Sequence, residues 1–280
     1  IPMCAYELQE RGTIKRRISF QVTTNSLGLR SPEFSKYPAR NTYRIICVGD
    51  SVTFGWGMAE NENFPRILGK RLKELNPNKK YEVINAGVPG YKFHQMAISF
   101  LSKLALLRPS LVIILTGVPD KKSLTRCPFP TTERYLSDVI REAKTYNIDI
   151  TLLSPPKSSF ELNPYFEDFR DFLGDTARKN GLGFVDIFTL FESVGHQRGL
   201  KLEIDGPVQR LVYYDQKEKE LLLEVTVPAG IDPTTSIHSD IYRFFDNTER
   251  SEALFFDAGH PNAEGHQLIG DYLARCVIKK

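Results

Sequence analysis

Five short apolar runs rich in valine and isoleucine, Tyr43–Gly49, Tyr81–Gly87, Leu111–Gly117, Asp149–Ser154 and Gly183–Phe188, alternate with segments of helical period. No other feature narrows the fold as far, because runs of this length bounded by turn residues read as buried strands. Between them Phe64, Ile67, Leu68, Leu72 and Leu75 share one helical face. So do Phe93, Met96, Phe100, Leu101, Leu104 and Leu107, and so do Tyr135, Val139, Ile140 and Ala143. A fourth stripe, Phe166, Phe169, Phe172 and Leu173, reads as core rather than as a cofactor box. A last helix is expected over 263–278, burying Leu268, Ile269, Tyr272, Leu273, Cys276 and Val277. Strand and helix in alternation give a three-layer α/β sandwich, a five-stranded parallel sheet covered by helices on both faces. Ligands of such sheets bind at the carboxyl ends of the strands, near the point where strand order reverses.

Two segments depart from the rhythm. Residues 1–40 form an N-terminal extension in which Ile18, Phe20 and Val22 alternate with polar neighbours as one half-buried strand, followed by a turn at Asn25-Ser26-Leu27-Gly28. The main domain is expected over 41–280, with a β-rich insertion at about 196–250. There Lys201–Asp205, Val208–Tyr214 and Leu221–Val227 read as a small meander, with Gln216-Lys217-Glu218-Lys219 as a polar hairpin turn. The insertion is either a substrate wall or partner surface, or a decoration.

At 280 residues the chain can bury a large core, so one decorated domain is expected rather than two. A net charge of +3, with Lys and Arg interspersed among Asp and Glu, provides no electrostatic footprint for nucleic acid or an anionic membrane. The four cysteines lack zinc or redox-dithiol spacing, and no His cluster has acidic or thiol partners, so no metal and no cofactor are expected. No apolar stretch reaches the ~20 residues of a membrane span. The chain begins at Ile1, and a membrane anchor is expected only in sequence beyond this chain.

The chemistry concentrates at two points. Gly49-Asp50-Ser51 ends the first strand and presents a small hydroxyl at its carboxyl end, followed by glycines at 55 and 57. Asp50 reads as a turn support rather than a group acting on substrate. Asp257 and His260, three residues apart, let one loop carry a base and the carboxylate that orients it. Pro261 keeps His260 out of the helix that follows. Trp56 is placed to form a sugar platform or acyl-pocket wall, or to pack.

Together Gly-Asp-Ser and Asp257-Ala258-Gly259-His260-Pro261 resemble the SGNH, or GDSL-type, hydrolase family, whose first and last blocks read Gly-Asp-Ser and Asp-x-x-His-Pro. The second block matches Asn85-Ala86-Gly87-Val88-Pro89-Gly90, and the third, normally Gly-x-Asn-Asp, stands as Gly117-Val118-Pro119-Asp120. The resemblance implies a flavodoxin-like fold and a serine esterase with Ser51 as nucleophile, His260 as base and Asp257 as orienting carboxylate. It places oxyanion donors at the N–H groups of Ser51 and Gly87; Trp56, from its own position, and Pro119 and Asp120, in the third block, are the candidate substrate contacts. Pro119 has neither an N–H nor a side-chain donor, so the asparagine's contribution must come from Thr116, Lys121 or the insertion, or be lost. The expected substrate is a small-molecule or glycan ester, with a short, foremost acetyl, acyl group. The same fold also serves O-acyltransferases and non-catalytic binding modules. The Asn25–Arg30 leader looks like that of extracytoplasmic bacterial members, which points to export, and the insertion offers a surface for a protein partner.

Overall fold

A computed structural model describes residues 2–10, 13–116, 129–157, 165–195, 198–205, 208–215, 220–227 and 260–279. The central sheet is built from β3 (Thr42–Gly49), β4 (Lys80–Gly87), β5 (Leu111–Leu115), β6 (Asp149–Leu153) and β7 (Gly183–Val185), in the order β4-β3-β5-β6-β7. Every pairing is parallel. This is the flavodoxin-like three-layer α/β fold. The chain first steps outward from β3 to β4 and then returns to β5 on the other side, so strand order reverses between β3 and β5.

Alternation along each strand divides the core into two layers. Ile46 and Val48 of β3, with Val112 and Ile114 of β5, face α3 (Phe93–Ser99), α4 (Phe129–Thr145) and α5 (Tyr165–Asn180). Ile45 and Cys47, with Leu111, Ile113 and Leu115, face α1 (Ser51–Phe54), α2 (Phe64–Leu75), α6 (Ile187–Gly195) and α7 (Ala263–Ile278). Strands buried on both faces read as near-continuous apolar runs, which is why these runs lack the polar alternation of a half-exposed strand; Arg44, buried near the start of β3, is the exception and donates to Glu82 and to backbone carbonyls. Burial holds the Cys47 thiol well above its ordinary pKa, so it behaves as a small apolar group.

Three expectations are corrected. The N-terminal extension carries a hairpin, β1 (Pro2–Glu10) paired antiparallel with β2 (Thr13–Gln21), instead of one strand. Register shifts at Cys4/Tyr6 and Leu8/Gln9 break the period-two pattern that would have revealed β1. The run read as a strand to Phe188 stops at Val185 because Asp186 starts α6: its carboxylate accepts from Thr189 N (3.1 Å) and Thr189 Oγ1 (2.7 Å). In α7, Tyr272 is 38% exposed, and the buried side is made of Gly265, His266, Ile269, Gly270, Leu273 and Ala274. Small residues there allow α2 and α7 to approach closely: a Cβ on Gly270 would lie 2.5 Å from Ile67 Cγ2.

The helix after β4 continues from α3 through a wide π-turn at Phe100–Leu104 and a 3₁₀ turn at Ala105–Leu107, and ends at Arg108 with φ of 51°. In the insertion, β8 (Arg198–Asp205), β9 (Val208–Asp215) and β10 (Glu220–Val227) form an antiparallel meander. No described helix is long and apolar enough to cross a membrane.

Candidate active site

β3 ends at Gly49, in register with Gly87 on one side and Leu115 on the other, and Ser51 opens α1 directly beyond this edge. The turn is dictated by close approach. A Cβ on Gly49 would lie 2.0 Å from Thr53 Oγ1, and one on Gly87 would lie 2.2 Å from Phe54 N, so only glycine lets α1 rest on the strand ends. Asp50 caps the helix by accepting from Val52 N at 2.8 Å and is fully buried, which fits the turn-support reading. Gly55, with φ of 81°, closes it, and Ser51 O accepts from both Gly55 N (3.0 Å) and Trp56 N (2.9 Å). Ser51 N–H has no hydrogen-bond partner among the described residues.

The other half of the site comes from the start of α7. Asn262 caps that helix through Gly265 N at 3.0 Å, and His260 stands two residues before the cap. His260 Nε2 lies 2.9 Å from Ser51 Oγ, across 209 residues of sequence. A hydroxyl and an imidazole nitrogen at that distance allow proton transfer as the oxygen attacks. Asp257, Pro119 and Asp120 lie outside the described residues, as does Lys121.

The Gly87 N–H, expected as an open donor, already has an acceptor. It donates to Asn85 Oδ1 at 2.9 Å, while that of Gly90, three residues on in the same turn, makes no hydrogen bond to described residues. Gly90 has φ of 79° and nothing within 4 Å of where a Cβ would stand. Trp56 packs edge-on to Phe20 (5.5 Å between centroids) and tilted on Phe54 (6.5 Å), which favours the packing role over a sugar platform. Thr116, raised as a substitute donor, is buried at the end of β5. Among the described residues no group of His, Cys, Asp and Glu is arranged to hold a metal ion.

Sequence reasoning missed a buried polar bracket behind Ser51. Asn25 Oδ1 accepts from the N–H groups of Leu27 and Leu29 at 3.0 Å each, folding the leader into a compact turn that aims Arg30 inward. Arg30 donates to Phe54 O, Gly55 O and Met58 O, and Ser31 Oγ accepts from Asn85 N at 2.8 Å. Asn63 Oδ1 caps α2 through Arg66 N. His266 Nδ1 accepts from Phe64 N at 3.2 Å, which joins the first turn of α2 to α7. Burial, helped by His260 and Arg30, pushes the His266 pKa down to about 3, so its ring is neutral. Its Nε2 has no partner among the described residues. The Asn-x-x-Gly-x-Arg spacing was the visible signal for this bracket; nothing in the chain's local pattern announced its carbonyl acceptors.

The model of the GDSL-like lipase/acylhydrolase family matches residues 47–206. No curated protein sequence matches the chain. The fold is similar to that of the acetyl xylan esterase AlAXEase, with a TM-score of 0.57 at 16% identity over 84% of this chain and 99% of that one. It is similar to a catalytic mutant of an acetylxylan esterase from Geobacillus stearothermophilus (TM-score 0.55, 16% identity, 83% and 93% covered). A G-D-S-L family lipolytic protein from Desulfitobacterium hafniense has a TM-score of 0.53 at 18% identity, with 83% and 98% covered. At these identities the structures speak for the fold, and the family match, which spans more than half the chain and includes the Gly-Asp-Ser turn, speaks for descent. The chain belongs to the GDSL-like lipase/acylhydrolase family.

Proposed function

We propose that the protein is a serine esterase that removes a short acyl group, foremost acetyl, from a polar, carbohydrate-like alcohol through an acyl-enzyme on Ser51. The observation that carries this reading is the 2.9 Å approach of Ser51 Oγ to His260 Nε2 at the carboxyl edge of a parallel sheet. Serine is a weak nucleophile until a base takes its proton. In the proposed sequence Ser51 Oγ attacks the ester carbonyl carbon as His260 Nε2 accepts that proton. The tetrahedral intermediate expels the alcohol, which leaves with the proton returned by His260. Water then repeats the cycle on the acyl-enzyme and releases the acid. Asp257 is assigned to hold the imidazole tautomer and stabilise its charge.

The negative oxygen of each intermediate needs donors. Ser51 N–H and Gly90 N–H are both uncommitted among the described residues, and we assign the oxyanion to them in preference to Gly87. With Pro119 in place of a side-chain donor, the deficit amounts to ~10²–10³ in rate where such donors have been removed. Pro119→Asn is therefore expected to raise kcat for a small activated ester; an unchanged rate means another group already fills that position.

The acetyl preference is supported by the likeness in fold to acetylxylan esterases and by the absence of an apolar helical lid in the sequence. Extracytoplasmic residence belongs to the same proposal, supported by the Asn25–Arg30 leader. The decisive experiment is fluorophosphonate labelling, with the adduct located by mass spectrometry, together with a chain-length series of aryl esters. The expected result is an adduct on Ser51, lost in Ser51→Ala, and rates that fall steeply beyond about four acyl carbons. A preference for eight or more carbons overturns the polar-substrate reading. No labelling and no turnover overturns the esterase in favour of a binding module. Acyl transfer to an added sugar that outpaces hydrolysis makes it an acyltransferase.

A further inference from the structure

We propose that Arg30 is a positioning residue for Ser51, acting through the two peptide units that follow α1; this rests on the esterase reading. Its guanidinium is wholly buried and lies over the rings of Phe54 (4.9 Å) and Phe20 (5.6 Å). One terminal nitrogen donates to Phe54 O at 2.9 Å and Gly55 O at 2.6 Å, and the other to Met58 O at 2.7 Å. All three acceptors belong to the turn leaving Ser51.

Each of the first two carbonyls shares a peptide plane with an N–H that points the other way. The unit holding Phe54 O carries Gly55 N–H, and the unit holding Gly55 O carries Trp56 N–H. Both of these N–H groups donate to Ser51 O, at 3.0 and 2.9 Å. Two rigid planes thus run in parallel from the guanidinium to the carbonyl of the nucleophile itself. A fixed cation at one end polarises both units and strengthens the bonds at the other. Fixing Ser51 O fixes the backbone from which Oγ is aimed at His260 Nε2. The planar fork matters, because a lysine presents one compact charge and cannot hold three carbonyls in this arrangement. Glu60, 3.3 Å from Arg30 Nε and partly exposed, supplies the countercharge from outside the turn. The leader that presents Arg30 precedes the residues matched by the family model, so the family pattern alone does not contain this contact.

The test compares wild type, Arg30→Lys and Arg30→Gln, each shown to be folded by thermal melting. It measures kcat and KM for an aryl acetate and the second-order rate of fluorophosphonate labelling at Ser51. Mispositioning predicts a fall of about tenfold to a hundredfold in kcat and in labelling rate, with KM little changed and lysine restoring part of the loss. Folded variants that label and turn over at the wild-type rate overturn the role of Arg30 and leave the esterase intact. A wild type that neither labels nor turns over overturns both. Should the variants not fold, hydrogen exchange on the wild-type chain decides the matter. Protection of the amides of Gly55 and Trp56 comparable to that of β3 supports the grip, and loop-like exchange overturns it.

Discussion

At the scale of single residues, His266 makes the sharpest prediction. The folded protein keeps its ring neutral down to about pH 3, whereas the unfolded chain protonates it below its ordinary 6.5. Across that window the unfolded state binds more protons, so stability is lost as pH falls from about 6.5 towards 3, by an amount on the order of a few kcal/mol. His266→Asn retains an acceptor for Phe64 N–H without an ionisable ring. Melting temperatures measured from pH 7 to pH 4 should therefore fall less steeply for this variant than for wild type, even if it starts lower. Parallel curves would show that His266 is not the acid-sensitive group. Gly87 makes a second residue-level prediction: in Gly87→Ala the new methyl meets the backbone at Phe54 N, and no rotamer relieves it. A loss of about 1–3 kcal/mol is expected in denaturant titration, with disturbed Ser51 labelling. Gly90→Ala meets no neighbour and faces only its φ of 79°, so it should cost less.

At the scale of elements, the contact between α2 and α7 fixes the helix that follows His260. Gly270 lies against Ile67 and Leu68 N, while the rim is joined by Arg71 to Asp271 at 2.5 Å. The buried contact should dominate. Gly270→Val ought to wedge the helices apart and lower stability by roughly 1–3 kcal/mol. Asp271→Asn, at a half-exposed ion pair, should shift the melting temperature far less. A larger effect from the rim than from the glycine would place the holding force in the charges. Elements were largely legible beforehand, since β3 to β7 needed nothing but apolar runs, and α7 begins and ends where its pattern does. Two elements escaped: β1, whose register shifts hide its period, and α6, because Ile187 and Phe188 extend the apolar run of β7 without a break and only the side chain of Asp186 marks the change.

At the scale of the whole molecule, the meander β8–β9–β10 stands between the last parallel strand and the histidine loop in sequence. Its strands hold no nucleophile, base and acid set, so it is expected to select substrate or partner and to leave the chemistry to the central domain. Replacing 198–227 by a short linker should preserve hydrolysis of an aryl acetate while weakening activity on an acetylated oligosaccharide. Equal loss on both, in a folded variant, would make the meander part of the active site. The main sheet itself reverses order between β3 and β5, beside the strand that delivers Ser51, which is where an open α/β sheet leaves a crevice for ligand.

The sequence by itself determined the layers and the strand that ends in Gly49-Asp50-Ser51, and it singled out Ser51 and His260 as candidates, because period, glycine placement and short motifs are local properties that each segment carries alone. Only the tertiary structure decided that Ser51 Oγ and His260 Nε2 meet at 2.9 Å, that Gly87 N–H is taken by Asn85, and that Trp56 is held between Phe20 and Phe54. It also decided that Arg30, 21 positions before Ser51, is buried against the turn behind it. These are unions of distant segments through backbone carbonyls and single side-chain atoms. Every residue has a carbonyl, so no residue letter reveals which ones a buried guanidinium will find.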